Sequence, residues 1–486
     1  MPRSVVLGVD SSTQSTKVIA VDIDSGEVVG EGHAPHSGHD IQHPAEWWNA
    51  LVAATQEATG PDMRVEAISV GGQQHGMVTL DGAGEIVCPA PLWNNVAAAP
   101  DAERLNAAAD FAAEVGSRLV ASFTIAKLAH LARTAPEDLE RTAAVCLPHD
   151  WLNFRLTGNL ATDRGEASGS GWWSPRDGRE RRDLLALAVG DDHANRLKLP
   201  EVRGPVEPAG ALLPQAARAL GLEPGIPVGP GTGDNMAAAL GVGAAPGELV
   251  ISLGTSGTAF AVSDHPVADE TGEVEGFADA TGRFLPLVCM LNCTRVVDTM
   301  AAMVGLPRQE ALDRAALAPP GANGLLLMPY LAGERTPNLP EATGSLTGLT
   351  AENATPDCAV RAALDGVAAG LAYATDVLSS LGIAAPEATL VGGGSRHPAW
   401  RQAIADATGL PVVVRGGGEH AARGAALQAM AVARGAAMDD VVERWRPEIV
   451  ARVEPRPEHH AAFRLDERRQ MIEEMKAASQ ARAQCQ

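Results

Sequence analysis

Val5, Val6, Leu7 and Val9 form a short apolar run that ends on Asp10; residues 11–16 are polar, and residues 18–22 turn apolar again. Two such runs around a tight polar turn predict a β-hairpin with a hydroxyl-rich tip. The pattern recurs half a chain later, where residues 249–253 lead into Gly254-Thr255-Ser256-Gly257 and residues 259–262 lead out. This predicts an internal duplication in which each hairpin opens its own domain. With the Gly-rich stretch 241–247 as the joint, the expected domains are residues 1–245 and 246–486. Helical spacing is clearest over residues 47–59, 102–115, 359–381 and 398–408, while 68–70, 77–80, 389–391 and 412–414 read as strands. The alternation argues for an α/β chain. From Asp439 onward the sequence becomes charged and is broken by Pro447, Pro455 and Pro457, so a helical surface appendage is expected there.

Composition narrows the class. The chain has 486 residues, 45% hydrophobic and 20% charged, which suits two ordered cores and excludes a disordered or fibrous chain. Aromatic residues make up only 3%, so those cores must pack through small aliphatic side chains. With 38 basic against 60 acidic residues, the net charge of -22 opposes broad contact with nucleic acid or an anionic membrane. A local anion site is not excluded by it. There is no uninterrupted apolar stretch of about 18 residues, and the first residues lack a secretory pattern, so a cytoplasmic protein is expected. The six cysteines are scattered, which favours buried free thiols over a disulfide framework or a zinc site.

Several segments carry candidate chemistry. Asp10, Ser11, Ser12, Thr13, Gln14, Ser15 and Thr16 place a carboxylate at a strand end beside hydroxyls and backbone N–H groups, a loop able to hold a phosphate. A carboxylate beside phosphate makes sense when a divalent ion stands between them, through water in the case of magnesium. Gly254, Thr255 and Ser256 offer a second such turn, and Gly393, Gly394 and Ser395 sit between a strand and a helix where a nucleotide's ribose or base could lie against backbone. In Gly229-Pro230-Gly231-Thr232-Gly233-Asp234-Asn235, Asp234 either caps the following helix or serves as a general base. Gln74 and His75 end another strand with polar groups suited to a polyol, and Trp93 could wall such a site. His33, His36, His39 and His43 read as a loop rather than a metal site. No Gly-Lys dipeptide and no complete GxGxxG occur, so a Walker-type phosphate loop is excluded and no dinucleotide fingerprint is supported.

Taken in order, VVLGVDSSTQSTK, HPAEWW, GGQQHGMV, PLWNN, GTGDNMAAALGVG, ISLGTSGT, PYLAGERTP, GSLTGLT and LVGGGSRHPAWRQAIADATGLPV resemble the FGGY carbohydrate kinases over almost the whole chain. The resemblance implies two actin-like, ribonuclease H-like domains with the catalytic cleft between them. It implies ATP and Mg2+ as cofactors, a small-molecule sugar as partner, and transfer of phosphate to D-xylulose to give D-xylulose 5-phosphate. A homodimer is compatible with it. Another ketose or polyol as substrate, or a non-catalytic nucleotide-gated sensor, remains open. Carried over by position, Asp234 is the base and Asp10 organises magnesium and phosphates, through water. Gln74, His75 and Asn235 hold the sugar. Ser12, Thr13, Gly254, Thr255 and Ser256 hold phosphates, and Gly393, Gly394 and Ser395 the adenosine. Asn95 stands where many members carry Asp, and residues 96–100 contain no Arg.

Overall fold

The computed structural model describes residues 2–484. The chain forms two compact units. It first passes from one to the other at Gly243/Ala244, and residues 263–285 and 417–447 return to the first unit.

The first unit is built on a mixed sheet. Arg3–Ser11 and Ser15–Asp22 pair antiparallel with Val5 opposite Asp22 and Ser11 opposite Thr16, so the expected hairpin forms with its hydroxyls at the tip. Val28–Pro35 adds a third antiparallel strand. On the other side Met63–Gly72 runs parallel to Arg3–Ser11, and Pro227–Val228 runs parallel to it in turn. The Arg3–Ser11 strand is buried on both faces over residues 5–11, which is why it reads as a continuous apolar run rather than an alternation. Trp47, Leu51 and Ala54 of the helix Pro44–Ala58 pack into the core beside Leu7, Ile68 and Trp151.

The second unit repeats this plan. Phe284–Met290, Gly257–Ala261 and Leu249–Leu253 form an antiparallel series, and Ala388–Val391 and Val412–Arg415 continue the sheet parallel to Leu249–Leu253. Three antiparallel strands followed by parallel ones, twice, is the duplication the two hairpins imply. The 25-residue helix Pro356–Ser380 starts under a cap in which Thr355 accepts from Cys358 N, and it carries Ala, Val and Leu into the core.

Three readings of the sequence are corrected. The segment 102–115 is two helices, Ala99–Ala108 and Phe111–Val115, because Asp110 caps the second by accepting from Ala113 N. The tail is not an appendage. Ile449–Val453 pairs antiparallel with Val412–Arg415, and Phe463, Ile472 and Arg468 are buried, the last donating to the Leu327 and Phe463 carbonyls. Charge on neighbouring residues hid a short β-rich run, Ile-Val-Ala-Arg-Val. The histidines from 33 to 43 are not a plain loop either: His33 lies in a strand, His36 meets Thr16 Oγ1 at 2.9 Å, and His43 caps the Pro44–Ala58 helix. Among the described residues Cys88, Cys146, Cys289, Cys293 and Cys358 form no disulfide, all but Cys88 are buried, and Cys485 lies outside the described residues. Among the described residues no helix is long and apolar enough to cross a membrane.

Candidate functional site

In the first unit three strand ends come together. Asp10 and Thr232 both register on Gly71 of the central strand, from its two sides, because Arg3–Ser11 and Thr232–Gly233 each run parallel to Met63–Gly72. Ligand sites in such sheets form at the carboxyl ends of the parallel strands. The ends here carry Asp10, then Gln74 and His75, then Asp234. Asp10 is nearly buried and its Oδ1 accepts from Ser12 Oγ at 2.6 Å. Its cross-strand partner is Lys17, whose ammonium pairs with Glu419 at 2.5 Å. Burial raises the Asp10 carboxyl above its ordinary range, against the lowering pull of Ser12 and Lys17. Thr13 at the hairpin tip accepts from Trp93 Nε1 at 2.9 Å, so Trp93 ties its own segment to the hairpin tip.

Asp234 opens the helix Asp234–Val242, but Gly233 is the residue at the cap and no side chain caps this helix. Of the two roles open in the sequence, capping is therefore removed. Asp234 Oδ1 accepts from Asn235 N at 2.8 Å and from Asn235 Nδ2 at 3.0 Å; Asn235 Nδ2 also donates to Gln74 Oε1 at 2.9 Å. Asp234, Asn235 and Gln74 thus form one connected group. Burial, and after it the negative charge of Asp10, push the Asp234 carboxyl up to about 7. A group poised there at neutral pH is suited to accept a proton. The charge of Asp10 is felt at Asp234, while Asp10 itself answers, after burial, to Ser12, Lys17 and Glu419.

His75 sits at φ 64°, a left-handed conformation uncommon outside glycine, and it is held there from several sides. Its Nδ1 donates to the Gly169 carbonyl at 2.9 Å, since a carbonyl can only accept. Its own carbonyl accepts from Lys127 Nζ at 3.0 Å and Thr124 Oγ1 at 3.2 Å, and its ring packs against Phe123 and Phe277. Lys127 is buried, and its ammonium also reaches the Ser122 carbonyl. Its role was not read from the sequence, although one lysine inside the apolar stretch Ile125-Ala126-Lys127-Leu128-Ala129 was a signal: a buried ammonium has to find acceptors.

In the second unit the turn Gly254-Thr255-Ser256 links two antiparallel strands and is pinned beneath. The Gly254 carbonyl accepts from Thr294 N at 3.1 Å and Thr294 Oγ1 at 2.8 Å, and the Thr255 carbonyl from Cys293 N at 3.2 Å. Thr255 is exposed at its crest. The glycine cluster lies against the same strand end: a Cβ on Gly392 would come within 2.8 Å of Leu253 O, and one on Gly394 within 2.8 Å of Leu253 Cβ, whereas Gly393 faces open space. Gly393 to Arg396 form a short 3-10 turn in which Ser395 Oγ donates to the Gly392 carbonyl. Gly254, Thr255, Ser256, Gly393, Gly394 and Ser395 are therefore neighbours, as Asp10, Ser12, Thr13, Gln74, His75, Asp234 and Asn235 are in the first unit. Asn95 donates to Asp40 Oδ2 at 2.7 Å and accepts from Ala97 N, both contacts that shape its own loop.

The family model described as the FGGY family of carbohydrate kinases, N-terminal domain, matches residues 5–241, and the C-terminal domain of that family matches residues 249–433. A xylulose kinase from Streptomyces rubiginosus is 46% identical over 452 residues, 91% of this chain and 90% of that one. The crystal structure of a xylulose kinase from Bifidobacterium adolescentis superposes with a TM-score of 0.82 at 37% identity, covering 95% of this chain and 99% of the other. A gluconate kinase from Lactobacillus acidophilus shares the fold, with a TM-score of 0.87 at 22% identity over 97% and 98% of the two chains. Two duplicated α/β units, each with its polar loops at strand ends and each matched by its own half of the family, leave one conclusion: the chain belongs to the FGGY family of carbohydrate kinases.

Proposed function

We propose that the chain transfers the terminal phosphate of ATP to D-xylulose, giving D-xylulose 5-phosphate, with Asp234 as the general base. The observation that carries the chemistry is Asp234 itself: a carboxyl pushed up to about 7 by burial and by Asp10, at the carboxyl end of the sheet, joined through Asn235 to Gln74. The sugar assignment is supported by full-length similarity to proteins named xylulose kinases. In this reading Gln74, His75 and Asn235 hold the ketose and Asp234 takes the proton of the attacking hydroxyl. Ser12 and Thr13 on one hairpin and Gly254, Thr255 and Ser256 on the other hold phosphate oxygens. Gly393, Gly394 and Ser395 bear on the adenosine.

Asp10 fits the neighbourhood of a divalent cation. Its carboxyl is buried beside a second acid, an arrangement that a positive charge relieves. Among the described residues no three His, Cys, Asp or Glu side chains gather into a protein-built metal site; in this reading the ion arrives with the nucleotide and meets Asp10 through water. When bound, magnesium neutralises charge on the transferring phosphate. The setting we infer is cytoplasmic, supported by cysteines that form no disulfide among the described residues.

A sugar panel tests the substrate. With ATP saturating, kcat/KM for D-xylulose should exceed that for ribulose, glycerol and gluconate by at least about tenfold, because a polar site rejects analogues that leave its buried groups unpaired. Equal turnover of any of the three would assign another sugar, and no turnover of any sugar would favour a nucleotide-gated sensor.

The pH dependence tests the base. Protonated Asp234 cannot accept a proton, so kcat/KM for the sugar should fall on the acid side with a midpoint near 7, the raised value set first by burial and then by Asp10. An acid limb at about pH 4, where an ordinary carboxylate titrates, would remove Asp234 from that role.

A further inference from the structure

Behind the turn that carries Asp234 lies a fully buried acid for which the proposed reaction has no use. Glu166 belongs to the short helix Arg164–Ser168, whose cap Asp163 accepts from Gly165 N and Glu166 N at 2.9 Å and from Thr232 Oγ1 at 2.7 Å. That last bond fastens the helix to the strand entering Gly233 and Asp234. Among the described residues neither oxygen of the Glu166 carboxyl has a hydrogen-bond partner. A Cβ added to Gly233 would lie 2.7 Å from Glu166 Oε1 and 2.9 Å from Gln74 Cδ, so the carboxyl and the Gln74 amide flank the same glycine. Gln74 Nε2 is likewise buried without a hydrogen-bond partner among the described residues. On the far side, Glu166 Oε2 is 3.7 Å from His149 Nδ1. His149 Nε2 faces the Pro230 carbonyl at 3.3 Å, with Asp150 Oδ1 3.4 Å away; a carbonyl can only accept, so Nε2 carries a proton, and in the neutral imidazole Nδ1 is then an acceptor.

We propose that Glu166 is a positioning residue of the sugar site, present as an uncharged carboxylic acid that directs its proton toward His149 Nδ1 and its other oxygen toward the Gln74 amide. It acts through Gln74, whose Oε1 is then kept turned to Asn235 and so to Asp234, and as a neutral group it adds no second anion beside the base. Burial, and then the anions Asp163 and Asp234, push its carboxyl well above the ordinary range, in agreement with the uncharged form. The titratable groups facing it are Asp163 and Asp234 on its Gly233 side and His149, with Asp150 beyond, on the other. A lone unpaired acid in such a place is costly, and pairing it on both sides removes that cost.

The inference rests on the reading of Asp234 and Gln74 given above, so the wild-type chain is assayed in parallel with whichever sugar it turns over best. Glu166→Met keeps the length of the side chain and removes both proposed hydrogen bonds; it should raise the sugar KM at least about tenfold and leave the ATP KM unchanged. Glu166→Gln can donate to His149 and accept from Gln74, and it should restore the sugar KM to within about threefold of wild type with the acid limb of kcat/KM unmoved. A Met variant as good as wild type reduces Glu166 to filling space and overturns the inference. So does a Gln variant that fails to restore the KM, or whose acid limb drops by a unit or more, since either result means that the residue works as an anion. If Glu166→Met does not fold, the Gln variant's KM and acid limb decide alone. A wild-type chain without sugar-dependent ADP release would instead strike the proposed function, a result separate from all of these.

Discussion

Asp234→Asn gives a folded chain that still binds sugar and nucleotide and has lost at least about a thousandfold in kcat, the order expected when a positioned base and its charge are removed together. The substitution is nearly isosteric. An Asn oxygen can still accept from Asn235 N as the Asp234 Oδ1 does, so the link to Gln74 survives. What disappears is the capacity to take a proton. Stability separates this from misfolding. The Asp234 carboxyl titrates near 7 in the folded chain and near 4 in an unfolded one, so the folded state binds the proton more tightly. The sign follows: this group favours folding while it is protonated, and that contribution is lost as pH rises through about 7. The Asn variant, neutral throughout, should therefore unfold at pH 8 no more easily than wild type. Thermal unfolding at pH 8 and initial rates of ADP release check the two halves; a variant that keeps more than about a tenth of its turnover would end the assignment of Asp234 as base.

Much of this architecture could be read before any coordinates. The hairpins at residues 5–22 and 249–262 announce themselves because both strands are apolar runs around a turn made of hydroxyls and glycine, a local signal that needs no tertiary information. The helix over 398–408 was legible for similar reasons, with Pro398 at its start, His397 capping it and Gly409 ending it in a left-handed conformation. The strand Ile449–Val453 was not, because its place at the edge of the sheet depends on a partner strand, Val412–Arg415, well before it in the chain. The site divides in the same way. Asp10, Asp234 and the glycine turns stand in recognisable local patterns. Lys127 is a single polar residue inside an apolar stretch, and His149 and Glu166 stand in no recognisable local pattern; only the fold reveals that the first holds the His75 carbonyl and that the others face each other behind Gly233.

The second large effect is expected far from any reacting atom, at Gly424. This glycine lies inside the helix His420–Arg434, where Ala would ordinarily stabilise by about 1 kcal/mol. The packing reverses that sign. A Cβ at position 424 would stand 1.8 Å from the Ala237 carbonyl oxygen and 3.0 Å from Gly241 N; reciprocally, one on Gly241 would stand 1.9 Å from His420 O, and one on Gly8 2.0 Å from Ala422 O. The obstacles are backbone atoms and cannot rotate away, so the helices must separate or the strand must shift. Those elements set the site: Gly8 precedes Asp10 in its strand, and Gly241 lies in the helix that Asp234 opens. Gln428 of the same clamping helix also donates to the Gly231 carbonyl at 3.2 Å, fixing the loop before the base. Gly424→Ala should thus destabilise by about 3 kcal/mol, the upper end of overpacking costs, and Gly424→Val by more. Because a displacement near 1 Å between reacting groups costs about a hundredfold, kcat should fall by that order even in the fraction that remains folded. Gly82→Ala is the control, since nothing lies within 4 Å of the Cβ it adds, and it should leave stability within about 0.5 kcal/mol. Denaturant unfolding and steady-state rates on the three variants read both effects; a Gly424→Ala chain as stable and active as the control would show that the two carboxyls do not depend on this contact for their placement.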